Sequence, residues 1–217
     1  MKTNILAQIR NITSQLIKVG LSEQQTFPSE KNGLIYISGN HDLSIALKNI
    51  PYAKAYNILD REGNYNIKMI DGALIQMMYT FVDGVVIKSR LAFFPSPNLE
   101  EYQNNPDIYT EDSIYANITM KNIVPTPIRI DYDPDNWINI LHPKSHLTIG
   151  QYKNCRIPCS MIVTPNIFID FILRNFYNTK IHHFTDAMVY DSFVILEKVI
   201  STDEQNIFHI SNINTNG

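Results

Sequence analysis

The stretch that decides the fold is Tyr65–Pro97, which reads YNIKMIDGALIQMMYTFVDGVVIKSRLAFFPSP. Three apolar runs, Tyr65–Ile70, Leu74–Val82 and Val85–Phe94, are separated by Asp71-Gly72 and Asp83-Gly84. Tight hairpin turns need residues that tolerate positive φ, and Asp-Gly supplies them, so an Asp-Gly pair between β-rich runs signals a hairpin. The expectation is an antiparallel meander that stops at Pro95 and Pro97.

On the N-terminal side, Ile5, Ile9, Ile12, Leu16 and Val19 recur at helical spacing over residues 4–19, with Gly20 as the stop. This predicts an amphipathic helix whose apolar stripe packs on the core. Leu34–Ile37 reads as a short strand, and His41–Asn49 as a short helix ended by Pro51.

On the C-terminal side, residues 96–112 are polar and carry Pro106, which predicts a loop. Ile114–Ile123 and Ile128–Tyr132 read as strands, the second ending at Asp133-Pro134 because a residue before proline avoids the helical region. Leu147–Ile149 reads as a further apolar run, and Arg156–Pro158 as the start of an exposed connection. Thr164-Pro165 sets a capping residue before a proline suited to the first helical position, ahead of a helix to about Tyr177. A last strand is expected over Ser192–Ile200, and a loose tail after about Ile210. Together these predict one α+β domain over residues 1–217, with a central, mainly antiparallel sheet, an amphipathic N-terminal helix and a helix near 165–177.

Composition narrows the function. The chain has 217 residues, enough to bury a core without staples. Charged residues make up 18%, against about 25% in an average soluble domain. A net charge of -3 gives no global attraction for nucleic acid and leaves only local basic patches. No run of 18 apolar residues is present, so no membrane span is expected and a cytoplasmic location is the default. Cys155 and Cys159 do not form a disulfide framework. In an extended segment they would lie roughly 13 Å apart.

Chemistry-bearing residues concentrate in Arg129–Pro158, RIDYDPDNWINILHPKSHLTIGQYKNCRIP. In an extended backbone Arg129, Asp131 and Asp133 share one side, with the two carboxylates roughly 7 Å apart. That arrangement suits a shared ligand, and equally a structural salt bridge or an Asp-Pro turn. His142 and His146 would be roughly 13 Å apart in a straight strand, and only a turn at Pro143–Ser145 brings them together. If they meet, one imidazole can take a proton from a ribose hydroxyl and the other can protonate the leaving oxygen, with Asp131 as a third catalytic candidate. Arg129, Asp133, Lys144 and Arg156 are the candidates for binding substrate or anion. The spacing is not that of a zinc finger, so no metal is assigned and the cofactor is unknown. His183 and Asp186 can join the site only if the fold returns them to it. Trp137 is a candidate for base stacking or for packing.

The blocks Arg129–Pro134, His142–Gly150 and Cys155–Pro158 resemble an uncharacterised bacterial family of unknown function. So do the helix carrying Phe168, Phe171 and Leu173–Tyr177, Asp71-Gly72 with Gln76 and Tyr79, and Arg90-Leu91 with Phe94, Pro95 and Pro97. This resemblance covers most of the chain and brings no activity with it. The neighbourhood of Asp131–His146 is also loosely similar to small bacterial toxin-like ribonucleases, which implies RNA or phosphate chemistry and an operon partner, including one in phage defence. The resulting expectation is a noncatalytic binding or assembly subunit of a bacterial complex, with a protein partner or homo-oligomer and an anion or nucleic-acid pocket. The alternative is a metal-independent ribonuclease.

Overall fold

A computed structural model describes residues 2–36, 50–97, 125–178, 183–190 and 196–211. The expected helix at His41–Asn49, the strand at Ile114–Ile123, nearly all of the 96–112 loop and the tail from residue 212 lie outside them. Among the described residues the order is α1 (Lys2–Lys18), β1 (Ser22–Gln25), β2 (Ser29–Lys31), β3 (Leu34–Tyr36), α2 (Tyr52–Arg61), β4 (Ile67–Met69), β5 (Leu74–Val82) and β6 (Val85–Phe94). After these come β7 (Ile128–Tyr132), a 3-10 turn (Pro134–Asn136), β8 (Ser145–Ile149), β9 (Ile157–Pro158), α3 (Pro165–Ile172) and α4 (Thr202–Gln205).

The meander forms as the sequence predicts. β4, β5 and β6 pair antiparallel through the two Asp-Gly loops. Asp83 (φ 49°) and Gly84 (φ 81°) both adopt the left-handed region that a tight two-residue hairpin turn requires. The nine-stranded sheet runs β1-β4-β5-β6-β7-β8-β9, with β3 also pairing with β5 and β2 with β3. All named pairings are antiparallel.

Strand alternation splits this sheet into two unlike faces. One carries Ile75, Met77, Tyr79 and Phe81 of β5, Val86, Leu91 and Phe93 of β6, Ile130 of β7 and Leu147 of β8. These pack into one core with Ile5, Ile9, Ile12 and Leu16 of α1 and Phe168, Ile169 and Ile172 of α3. Each such side chain contributes about 1.5–3 kcal/mol on burial, so this face supplies most of the driving force for folding. The core also carries a specific tie, because the buried Tyr79 hydroxyl donates to the Val163 carbonyl at 2.8 Å.

The other face takes the alternate residues. Near its start Leu74 and Phe94 pack on Tyr56 and Leu59 of α2. Further along it turns polar: Lys88 and Arg90 on β6, Arg129 and Asp131 on β7, and His146 and Thr148 on β8 lie in cross-strand register.

The helix from Pro165 is capped by the Thr164 side chain and runs to Tyr177 as expected, its last turn, Leu173–Tyr177, being π-helical. Two expectations change. The connection expected at Arg156–Pro158 is instead strand β9, with Pro158 buried, because its backbone extends the ladder from β8. In the described part of Ser192–Ile200, Leu196–Ile200, no strand forms. Lys198 alone bridges Met161, and burial there does not alternate: Glu197 and Lys198 are both exposed.

Candidate functional site

The site is built on the polar face at β6, β7 and β8. Asp131 lies directly across from Arg90 on one side and His146 on the other. Arg129 is two residues back on the same strand and so projects from the same face. Asp131 is buried, and its two oxygens are divided between two arginines. Arg90 Nε donates to Oδ1 at 2.9 Å and Arg129 Nε donates to Oδ2 at 2.5 Å. Burial alone would raise the carboxyl's pKa. Arg90 and Arg129 outweigh it and hold Asp131 below its ordinary value. Asp133, just past the strand end, takes Lys88 at 3.4 Å. The two carboxylates thus share a side, as the extended backbone predicts, but Asp131 is held by two arginines and Asp133 by Lys88.

The histidines meet. Backbone hydrogen bonds between Ile138 and His142 in both directions close a tight hairpin over Trp137–His142, and the chain then turns at Pro143 into β8. This places the His142 and His146 rings 4.8 Å apart, edge to face. His146 Nδ1 lies 2.9 Å from the Pro143 carbonyl. A carbonyl only accepts, so this nitrogen carries the proton and a neutral ring has its lone pair on Nε2. Burial, followed by the nearby Arg156 charge, lowers the pKa of His142. His146 is lowered by burial despite the pull of Asp131 and the Pro143 carbonyl. Both rings are therefore biased toward neutrality. Among the described residues the buried Nδ1 of His142 has no hydrogen-bond partner.

Arg156 is close enough to act electrostatically on both imidazoles. Lys144 has a different partner, its ammonium lying 5.3 Å from the Trp137 ring centroid. Trp137 Nε1 donates to Glu204 at 3.2 Å and so ties the hairpin to α4, whose N-terminus is closed by the capping box of Ser201 and Glu204. His183 and Asp186 close an exposed turn. Cys155 and Cys159 are both free. Burial pushes the Cys159 thiol up to about 12, which disfavours the thiolate needed by a nucleophile. Among the described residues no three of His, Cys, Asp and Glu converge to hold a metal ion.

Arg90 is the site residue that sequence reasoning missed. It is 41 positions from Asp131 and reaches it only through strand register. The available signal was the alternation of Lys88 and Arg90 through an otherwise apolar strand.

Fold and site together define an α+β sheet protein with an arginine-rich, two-histidine cluster on its polar face. Residues 21–212 match the family model described as "Uncharacterized conserved protein (DUF2290)", and the chain belongs to that family. This agrees with the resemblance to a family of unknown function. No curated protein and no solved structure matches the chain. Among the described residues no helix is long and apolar enough to cross a membrane.

Proposed function

We propose that this chain is a noncatalytic binding or assembly subunit of a bacterial protein complex, and that its polar sheet face holds the phosphates of RNA. The observation that carries this reading is the local charge. Lys88, Arg90 and Arg129 pair with Asp131 and Asp133, and Arg156 adds its charge beside the adjacent histidines, in a chain whose net charge is -3. A local cationic excess on an acidic protein is the footprint of a specific anion site rather than of general attraction. The assembly half of the proposal is supported by the neighbouring hairpin, which exposes Trp137, Ile138, Ile140 and Leu141 together.

A second reading, metal-independent ribonuclease chemistry, draws support from the turn that unites His142 and His146. Acid–base cleavage needs one neutral and one protonated imidazole on opposite sides of a phosphate. Here both rings are held toward neutrality and touch one another, which favours binding over turnover.

The test is a mixed RNA pool incubated with wild type and with a His142→Ala, His146→Ala double variant, with and without chelator. The proposal expects bound, intact RNA in every arm. Chelator-insensitive cleavage by wild type that disappears in a folded double variant would overturn it in favour of the ribonuclease.

A further inference from the structure

We propose that Arg90 and Arg129 form a clamp for a phosphomonoester, the terminal phosphate of a nucleotide or of an end-phosphorylated RNA, with Asp131 as the positioning residue. This rests on the anion-binding reading above and narrows its ligand.

Both arginines give their Nε to Asp131. Among the described residues neither guanidinium has another hydrogen-bond or ion-pair partner, so the Nη groups of both are left for a ligand. A guanidinium presents its donors in a rigid planar fork, and anchoring Nε fixes where that fork points. The carboxylate that sets both forks is hidden while the forks are reachable: the side chain of Asp131 is 9% exposed, against 22% for Arg90 and 32% for Arg129. A structural ion triad alone has no need of this separation. It leaves two anchored forks on adjacent strands beside one buried carboxylate, and a tetrahedral oxyanion has oxygens enough for two pairs of donors.

Charge then selects the class of phosphate. Two arginines and one aspartate leave the clamp with one positive charge. Lys88 is matched by Asp133, and Arg156 adds a second positive charge beside the histidines. Two net charges match a dianionic monoester better than the single charge of a backbone diester. The buried Nδ1 of His142, which has no hydrogen-bond partner among the described residues, is a further polar atom in the cluster.

The experiment measures binding of one short RNA in two forms, with a 5′-phosphate and with a 5′-hydroxyl, and adds inorganic phosphate as competitor. Wild type, Asp131→Asn and Arg129→Lys are compared, each checked for cooperative unfolding. Asp131→Asn is the discriminating variant because it removes a negative charge and so makes the site more positive. Plain electrostatics predicts tighter binding, whereas loss of positioning predicts weaker. Arg129→Lys keeps the charge and removes the fork, and it decides the matter if Asp131→Asn fails to fold. The clamp predicts that wild type prefers the phosphorylated form by about tenfold or more, the equivalent of one good hydrogen bond. It also predicts that phosphate competes and that both variants erase the preference. Equal binding of the two forms, or a preference that survives in both folded variants, would overturn the clamp and leave the anion-binding reading standing. Failure of wild type to bind either RNA or phosphate would overturn both.

Discussion

Asp131→Asn also makes the sharpest stability prediction. The substitution preserves shape and removes one charge from beneath two arginines. In the wild type each carboxylate oxygen accepts from one guanidinium. Charge-assisted hydrogen bonds contribute about 1.5–3 kcal/mol apiece. The full value of two does not apply, because the guanidiniums are partly exposed and asparagine keeps one acceptor oxygen. We expect a loss of about 2–3 kcal/mol at pH 7. In a chain of this size that lowers Tm by roughly 5–10 °C. The pH dependence has a definite sign. The folded-state pKa of Asp131 lies below its ordinary value of 3.8, so its stabilisation is complete above that value and is lost as pH falls through the folded pKa. Urea unfolding of both proteins should show the gap at pH 7 and a narrower gap below pH 3.8. Equal midpoints at pH 7, or a gap that widens in acid, would refute the assignment of Asp131 as an ionised partner of both arginines.

Other consequences are checked more simply. Tyr79→Phe leaves the buried Val163 carbonyl without its donor and should cost about 1–2 kcal/mol in a urea melt; no change would contradict that bond. A thiol reagent at pH 8 should label the partly exposed Cys155 quickly and the buried Cys159 only on unfolding, and two fast thiols would argue against the packing at β9. Because His142 and His146 both titrate below 6.5 in the folded state, the unfolded chain takes up protons first as pH falls. Stability should therefore decline below about pH 6.5. Glutamine at both positions should flatten that decline, as read from unfolding midpoints between pH 7 and 5.

Local signals carried much of this fold. The Asp-Gly pairs mark both hairpins because backbone sterics at the turns select those residues. α1 was legible because Ile5, Ile9, Ile12 and Leu16 recur at helical spacing and are all buried. Arg129, Asp131 and Asp133 could be put on one side from strand alternation alone. What was not legible depends on register or on a turn. The approach of His142 to His146 rests on the reversal at Trp137–His142, which holds Ile140 at φ 66°, a conformation unfavourable for a β-branched residue and not foreseeable from its identity. That reversal is held by Asn139, which bonds both Ser201 and Asp203 some sixty residues onward. Arg90 was hidden for the same reason, since its partner is set by pairing between β6 and β7. Lys144, an anion-site candidate from its place beside His142 and His146, holds its ammonium over Trp137, a contact that no local pattern marks.

Phosphate binding by the polar face is read out by the salt dependence of RNA affinity for wild type and for variants with Arg90, Arg129 and Arg156 changed singly to glutamine. On single strands each neutralised phosphate contributes about 0.7 to the slope of log affinity against log salt. A polar face that holds phosphate through these arginines predicts a wild-type slope of about -2 for three contacts, reduced by about 0.7 in each folded variant. A slope unchanged by all three substitutions would place the anion site elsewhere and rule out phosphate binding by these arginines.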